Sequence, residues 1–368
     1  MNVSSSDERW MRRALELAER GRLTTWPNPM VGCVIVVEGT VLGEGWHRTF
    51  GEAHAEVHAL ERIPEGTDLS QATAYVTLEP CSHTGKTPPC ADLLIRRGVG
   101  RVVVAMTDPN PKVAGNGLAR LRSAGISVSS DCLSEEAGRL NRRFVHGMTE
   151  ASPWVTLKWA QSADGFIDPD EDAATGRGGF ALTGHAAARH THSLRATHDA
   201  ILVGMRTWLV DRPSLTTRHV PGPSPKKFVL TRGETPFPVS FKGEHEGTGP
   251  AVLVHPSSAS DSTALASWSE QGFELMPLES SAFTANWWKE FRRASGALAC
   301  LVEGGAEVAQ AVLTQGTWDE VHMLKAPLAL NQGLSAPLLE EVPAVGGVPM
   351  GDDVLYVWQN DMKQSNRT

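Results

Sequence analysis

Apolar positions in this chain fall into short runs separated by glycine, proline and charged residues, and the period of the pattern alternates along the sequence. VGCVIVVEG (31–39), TVLGEGWH (40–47), ATAYVTLE (72–79), RVVVAM (101–106) and ISVSS (126–130) are β-rich and predict strands. Between them, helical stretches are expected near 54–62, 89–97 and 117–124. An amphipathic helix starting near Asp7 opens this half, and a helix over 134–146 (SEEAGRLNRRFVH), ending at Gly147, closes it. Strands alternating with helices imply a largely parallel sheet covered on both faces.

TEASP (149–153) reads as a linker, and the alternation then restarts. Strands are expected at 154–160, 199–204, 226–230, 250–255, 297–305, 318–324 and 353–359, with helices between. The organisation predicted is two α/β domains, 1–150 and 151–368. Residues 231–250 (TRGETPFPVSFKGEHEGTGP) look like a surface excursion, and the last eight or so residues look disordered.

Composition narrows the function. No apolar stretch is long enough for a membrane span, and the N-terminus carries no apolar signal region, so a cytoplasmic location is expected. A net charge of −8 and only two tyrosines argue against a nucleic-acid surface, which needs cations and stacking rings. They leave room for a small phosphorylated ligand. Of five cysteines, Cys33 and Cys300 lie in apolar runs and read as buried thiols, while Cys132 gives no signal. A disulfide framework is not expected.

The remaining pair frames EPCSHTGKTPPC (79–90), a stretch too polar and proline-broken to be core. Pro88 and Pro89 place Cys90 in the first turn of a helix. Upstream, in GEAHAEVHAL (51–60), residues two apart on a helix point about 200° apart. His54 and Glu56 can therefore share a site only if His54 sits at the helix start, before helical angles begin. One imidazole and two thiolates leave a fourth position open, the pattern of a catalytic zinc, and Glu56 would move protons beside it. Two other readings stay open: His58 as a ligand one turn after His54, or a closed structural site with His83 as fourth ligand.

A His-x-Glu followed by Pro-Cys and a second Cys, with the Glu outside the ligand set, is the zinc-deaminase signature. Here HAE (54–56) and PC (80–81) fit, but eight residues separate Cys81 from Cys90 instead of two. Together with NPMVGCVIV (28–36), GWHRTFGEAHAE (45–56) and VAMTDPNPKVAGNGLARLRSAGI (104–126), this stretch resembles the deaminase half of the bifunctional riboflavin-biosynthesis deaminase–reductases. The resemblance implies a cytidine-deaminase-like three-layer domain. It assigns zinc to His54, Cys81 and Cys90 and the proton shuttle to Glu56. It places Asn28, His47, His83 and Lys86 at the pyrimidine and its ribosyl phosphate.

In the second half, VEGGAEVAQAVL (302–313) runs a strand through Gly304-Gly305 into a helix, a turn that lets backbone approach a phosphate but is weak alone. LKWAQSADG (157–165), LTGHAAARHTHSLRATHDAILVGMRTWLVDRPSLTTR (182–218) and DEVHMLKAP (319–327) resemble the reductase half of the same family. That implies a dihydrofolate-reductase-like fold, NADPH as the reductant, and reduction of a ribosyl group to a ribityl chain. It puts Ala160, Ala181, Thr207, Asp211 and the turn Gly305, Ala306, Glu307, Val308, Ala309, Gln310, Ala311 at the dinucleotide. Lys158, Gly179, Arg195, Leu215, Arg218 and Glu303 would lie at the substrate, with Arg195 and Arg218 offering bidentate donors to its phosphate. Gly179 stands where the family has a serine, and Ala181 where it has an aromatic. His185, His190, His192 and His198 are expected to decorate the exposed face of one helix rather than to bind metal. The family tends to assemble through its reductase domain, so a homo-oligomer is expected. A rival reading keeps the deaminase and makes the second domain a binding or assembly module.

Overall fold

The computed structural model describes residues 3–82, 88–169, 181–238, 251–339 and 347–360. The chain divides into two compact units, Met1–Glu150 and Ala151–Thr368.

The first unit is a three-layer sandwich. Helix α1 (Ser5–Glu19) begins two residues before Asp7, because Ser4 and Asp7 form a reciprocal capping box that satisfies the free amides of the first turn. Strands β1 (Gly32–Val37) and β2 (Thr40–Trp46) follow, then α2 (Ala55–Leu60), β3 (Thr73–Val76), α3 (Cys90–Arg96), β4 (Arg101–Val104), α4 (Asn116–Ser123), β5 (Ser127–Ser129), α5 (Ser134–Leu140) and α6 (Arg142–Thr149). The sheet order is β2-β1-β3-β4-β5. Alternation along the strands sorts the core. Cys33, Ile35, Ala74 and Val76 pack under α2, α3 and α4, while Val34, Val36 and Tyr75 pack under α1 and α5.

The sheet is mixed, not largely parallel. β1 pairs antiparallel with both β2 and β3, and only β3, β4 and β5 run parallel. The cause is local. Glu38 and Gly39 both take positive φ, the backbone that a two-residue hairpin needs, so the first two strands must run opposite ways. The expected helix over 134–146 is also two helices. Asn141 interrupts it, and its buried amide donates to Met30 O (2.9 Å) and accepts from Met30 N (2.8 Å). The second helix runs past Gly147 to Thr149.

The second unit contains β6 (Trp154–Gln161), β7 (Phe166–Asp168), α7 (His185–Ala196), β8 (Ala200–Gly204), α8 (Met205–Val210), β9 (Lys226–Leu230), β10 (Val252–Pro256), α9 (Thr263–Ser269), β11 (Glu274–Leu278), α10 (Ala285–Ser295), β12 (Ala299–Glu303), α11 (Ala306–Thr314), β13 (Glu320–Lys325), β14 (Leu334–Ser335), β15 (Val348–Met350) and β16 (Asp353–Gln359). Among the described residues they build a nine-stranded sheet, β11-β10-β9-β8-β12-β6-β13-β16-β15, and a small β14-β7 pair. The large sheet is parallel from β11 to β13 and antiparallel at β16 and β15. α10 and α11 cover one face, α7, α8 and α9 the other. Residues 231–238 do run over the surface, with Arg232, Glu234 and Pro236 exposed, but they are anchored. Phe237 stacks edge-on against Trp268 and its amide donates to Ser267 Oγ, which pins this segment to α9. Residues 239–250 and 361–368 lie outside the described residues.

Candidate functional sites

His54 is the N-cap of α2, with extended backbone (φ −78°, ψ 169°), so Glu56 two residues later can turn to the same side. Cys81 follows β3, and Cys90 is the first residue of α3, capped by Pro89. The ligand atoms of His54, Cys81 and Cys90 lie within 4.8 Å of one another, and among the described residues no other such group of three occurs. His54 Nδ1 is 3.6 Å from Cys81 Sγ and 3.3 Å from Cys90 Sγ. Zinc–sulfur and zinc–nitrogen bonds in a tetrahedral shell would place these donors about 3.5 Å apart. The three side chains therefore fit a divalent zinc without moving far.

α2 comes this close because β2 offers it bare backbone. A Cβ on Gly43 would sit 2.1 Å from Ala59 O, and one on Gly45 would sit 2.4 Å from Ala55 O. Cys81 is drawn below the ordinary thiol range by its hydrogen bond with Cys90 and then by that with His54, while Cys90 is pushed up beside it. Glu56 is 3% exposed, and its Oε2 is buried without a hydrogen-bond partner. Burial pushes its carboxyl up; a divalent cation alongside would pull it the other way. A buried, unpartnered carboxylate oxygen is costly unless something polar meets it.

His47 is buried at the end of β2. Its Nδ1 donates to Ala53 O (3.0 Å), so Nε2 is left to accept from Asn28 Nδ2 (3.1 Å). Burial holds its pKa down and keeps it neutral. Its ring packs edge-on against that of His54, 5.5 Å away. Asn28 lies in the segment that Asn141 grips through Met30. Asn141 is a contributor that the sequence reading missed; the only signal was an asparagine interrupting a helical period. His58 reaches Glu61 instead of the ligand cluster. His83 and Lys86 lie outside the described residues.

In the second unit the assigned residues gather at the carboxyl ends of parallel strands, where open α/β sheets take ligands. Lys158 on β6 and Glu303 on β12 are directly paired in register, with Lys158 Nζ 3.9 Å from Glu303 Oε1. Arg195 on α7 puts Nε (2.9 Å) and Nη2 (2.7 Å) on Glu303 Oε2, and Nη1 on Thr216 O (3.0 Å). Its fork is thus turned on a buried carboxylate that needs a partner, not left free for a phosphate. Arg218 is exposed, with Nη1 steadied by Ser214 Oγ and Thr216 Oγ1. Burial depresses the Lys158 ammonium, with Glu303 opposing the shift and Arg195 adding to it.

Gly304 (φ 109°) and Gly305 (φ 71°) turn the chain from β12 into α11, and Thr207 on α8 packs against both. Ala306, Glu307, Val308, Ala309, Gln310 and Ala311 form the first turns of α11, with Gln310 Oε1 accepting from Leu338 N. Asp211 caps the C-terminus of α8 and is exposed. Ala160 pairs with Leu324 near the end of β6. Ala181 is exposed. Leu215 is in the core with left-handed φ (53°), so what it can offer a ligand is its main chain. Gly179 lies outside the described residues. The four histidines do not share an exposed face. His192 accepts from Arg218 N and His198 bridges Leu194 O and Thr156 Oγ1, both buried, while His190 pairs with His322 and only His185 is exposed.

Comparison with known proteins matches both units. Residues 4–106 fit the cytidine and deoxycytidylate deaminase zinc-binding region, and residues 153–343 the RibD C-terminal domain. The riboflavin biosynthesis protein RibD of Aquifex aeolicus is 36% identical over 333 residues, 90% of each chain. That of Escherichia coli is 51% identical over 212 residues, 58% of this chain and 56% of the relative. Among solved structures, Acinetobacter baumannii RibD (form 1) superposes with a TM-score of 0.78 at 32% identity, covering 96% of this chain and 98% of that one. The Thermotoga maritima diaminohydroxyphosphoribosylaminopyrimidine deaminase/5-amino-6-(5-phosphoribosylamino)uracil reductase gives 0.76 at 31% identity, with the same coverage.

Proposed function

This chain belongs to the RibD family of bifunctional riboflavin-biosynthesis enzymes, and we infer from that premise how its residues divide the work. The N-terminal unit is a zinc-dependent pyrimidine deaminase of cytidine-deaminase-like fold, and the C-terminal unit is an NADPH-dependent reductase. The two reactions are hydrolytic deamination of 2,5-diamino-6-ribosylamino-4(3H)-pyrimidinone 5′-phosphate, then reduction of its ribosyl group to ribityl. The rival reading, a second domain that only binds or assembles, is not favoured, because a reductase-family match covers 153–343.

In our reading His54, Cys81 and Cys90 would hold the zinc, which would supply a water acidic enough to act near neutral pH. Glu56, buried beside them, is the proton carrier that serves the departing ammonia. Neutral His47, aimed by Ala53 O and Asn28, orients the pyrimidine, with His83 and Lys86 toward the ribosyl phosphate. In the reductase, Thr207, Asp211, Ala160, Ala181 and residues 305–311 hold NADPH, the hydride source. Lys158 and Glu303 meet the sugar, with Arg195 fixing Glu303 and exposed Arg218 serving the phosphate; the main chain of Leu215 and, by the family resemblance, Gly179 also serve the substrate.

We further propose that the protein works in the cytoplasm, which its five free cysteines favour, and that it pairs through the reductase unit. Supporting the second point, β15 is an edge strand, and Val348 and Val357 on β15 and β16 stay 55% and 40% exposed.

The observation that carries the deaminase assignment is the donor triangle at zinc spacing beside the unpartnered oxygen of Glu56. Glu56→Gln tests it. The variant should keep its zinc by elemental analysis and lose ammonia release by roughly 10²–10⁴-fold. Given the deaminated substrate, it should still oxidise NADPH at the normal rate. Ammonia release within a few-fold of the parent enzyme would remove Glu56 from the proton path.

A further inference from the structure

Glu79, the residue before the Pro80-Cys81 ligand turn, ends in a carboxylate that accepts four main-chain hydrogen bonds. Its Oε2 takes Asp108 N (3.1 Å) and Gly115 N (2.9 Å), and its Oε1 takes Gly117 N (2.7 Å) and Leu118 N (3.3 Å). The side chain is 6% exposed, so these amides are its solvation. Gly117 and Leu118 open α4, whose own N-cap, Gly115, offers no side chain. Glu79 thus caps that helix from another part of the chain, where a negative charge also meets the helix dipole.

The same contact reaches toward the metal ligands. Glu79 N donates to Met106 O, which fixes its backbone to the end of β4. A Cβ on Gly117 would sit 2.0 Å from Pro80 O, so α4 and the ligand turn touch backbone to backbone. Cys81 O in turn accepts from Ala91 N, and Cys81 Sγ from Cys90 N. From Met106 through Glu79 and Pro80 to both thiols, the connections are short and polar.

We propose that Glu79 is a positioning residue of the metal centre, holding the Pro80-Cys81 turn at the height that brings Cys81 within reach of His54 and Cys90. It touches neither substrate nor metal. A glutamine can accept at one atom only and would aim an NH2 group at amides that need an acceptor.

Glu79→Gln should release zinc to a chelator roughly 10–100-fold faster and slow ammonia release by a similar factor. Its cobalt-substituted form should show altered thiolate-to-metal and ligand-field bands, a signature that loss of stability alone would not produce. Reduction of the deaminated substrate should be unchanged. Glu79→Asp, which keeps the charge and two acceptor atoms, should recover part of the effect. A Glu79→Gln protein with parental cobalt spectrum and parental zinc release overturns the proposal. If the variant does not fold, the parent chain decides. Stripping its zinc should speed hydrogen exchange at the amides of Asp108, Gly115, Gly117 and Leu118, since coupling between two sites is reciprocal. Exchange there that ignores the metal overturns the proposal equally.

Discussion

Gly304 offers the sharpest test of the reductase site. Its φ of 109° lies beyond the left-handed helical well, in territory essentially reserved for glycine. An alanine there also brings a Cβ 3.0 Å from Thr207 Cγ2. Gly305, at φ 71° and ψ 111°, also lies outside the left-handed helical well, and its added Cβ would meet Thr207 Oγ1 at 3.2 Å. The backbone cost for alanine is about 2–3 kcal/mol at each position. If the turn must hold this shape to receive the dinucleotide, each 1.4 kcal/mol is a factor of ten. Gly304→Ala and Gly305→Ala should then each weaken NADPH roughly 30–100-fold. Thr207→Ser removes the methyl in contact with the Gly304 position and keeps the hydroxyl. Added to Gly304→Ala, it should win back a few-fold but not the backbone part, a non-additivity a double-mutant cycle would read. Equilibrium fluorescence titration with NADPH measures it, with ammonia release by the first unit as the check on folding. The reasoning fails if either variant binds within threefold of the parent.

Arg218→Ala should raise the KM of the reductase for its phosphorylated substrate at least tenfold with little change in ammonia release. Arg195→Ala, which strips Glu303 of its main partner, should instead lower kcat; steady-state kinetics on the deaminated substrate separate the two. Asp7 is held well below the usual carboxylate range: burial opposes this, but the Arg101 guanidinium (2.7 Å), Ser4 and Tyr75 outweigh it. Because the folded pKa is the lower one, this stabilisation is complete above about pH 4 and is lost as pH falls further. Asp7→Asn should cost the first unit about 3 kcal/mol at pH 7 by urea denaturation and flatten its acid limb; an unchanged midpoint would refute the pairing. Asn141→Ala should raise the KM for the pyrimidine and leave zinc content alone, and a normal KM would show that the grip on Met30 does not reach Asn28.

Much of the fold could be read from local pattern, and the failures share one cause. Strand positions such as 226–230 and 353–359 came from period and β-branching, which are properties of the segment itself. Strand direction is a pairwise property; Glu38-Gly39 carried the hairpin signal, but the two strands were read singly. β11 escaped because Pro277 interrupts an otherwise apolar run, and an edge strand tolerates that. At the site, His54 and Glu56 were legible because a helix start is a local event. Arg195 was placed at the site by resemblance, but its partner was not legible, since nothing near it in sequence announces Glu303, 108 residues away. Asn141 fell to the same limit, being 111 residues from the peptide it grips.

The bare-backbone seating of α2 on Gly43 and Gly45 has a consequence for how the protein acquires its ion. A zinc finger must fold around its metal, so the apo chain waits unstructured. Here the backbone that seats His54 is set by helix-on-glycine packing that involves no ion. Loading is then a swap of ligands around the ion rather than the folding of a domain. Such a ready socket cannot wait for the right guest: a thiolate-rich cup accepts copper at least as firmly as zinc. Its fidelity is therefore set by which ion the surroundings supply, not by the cup.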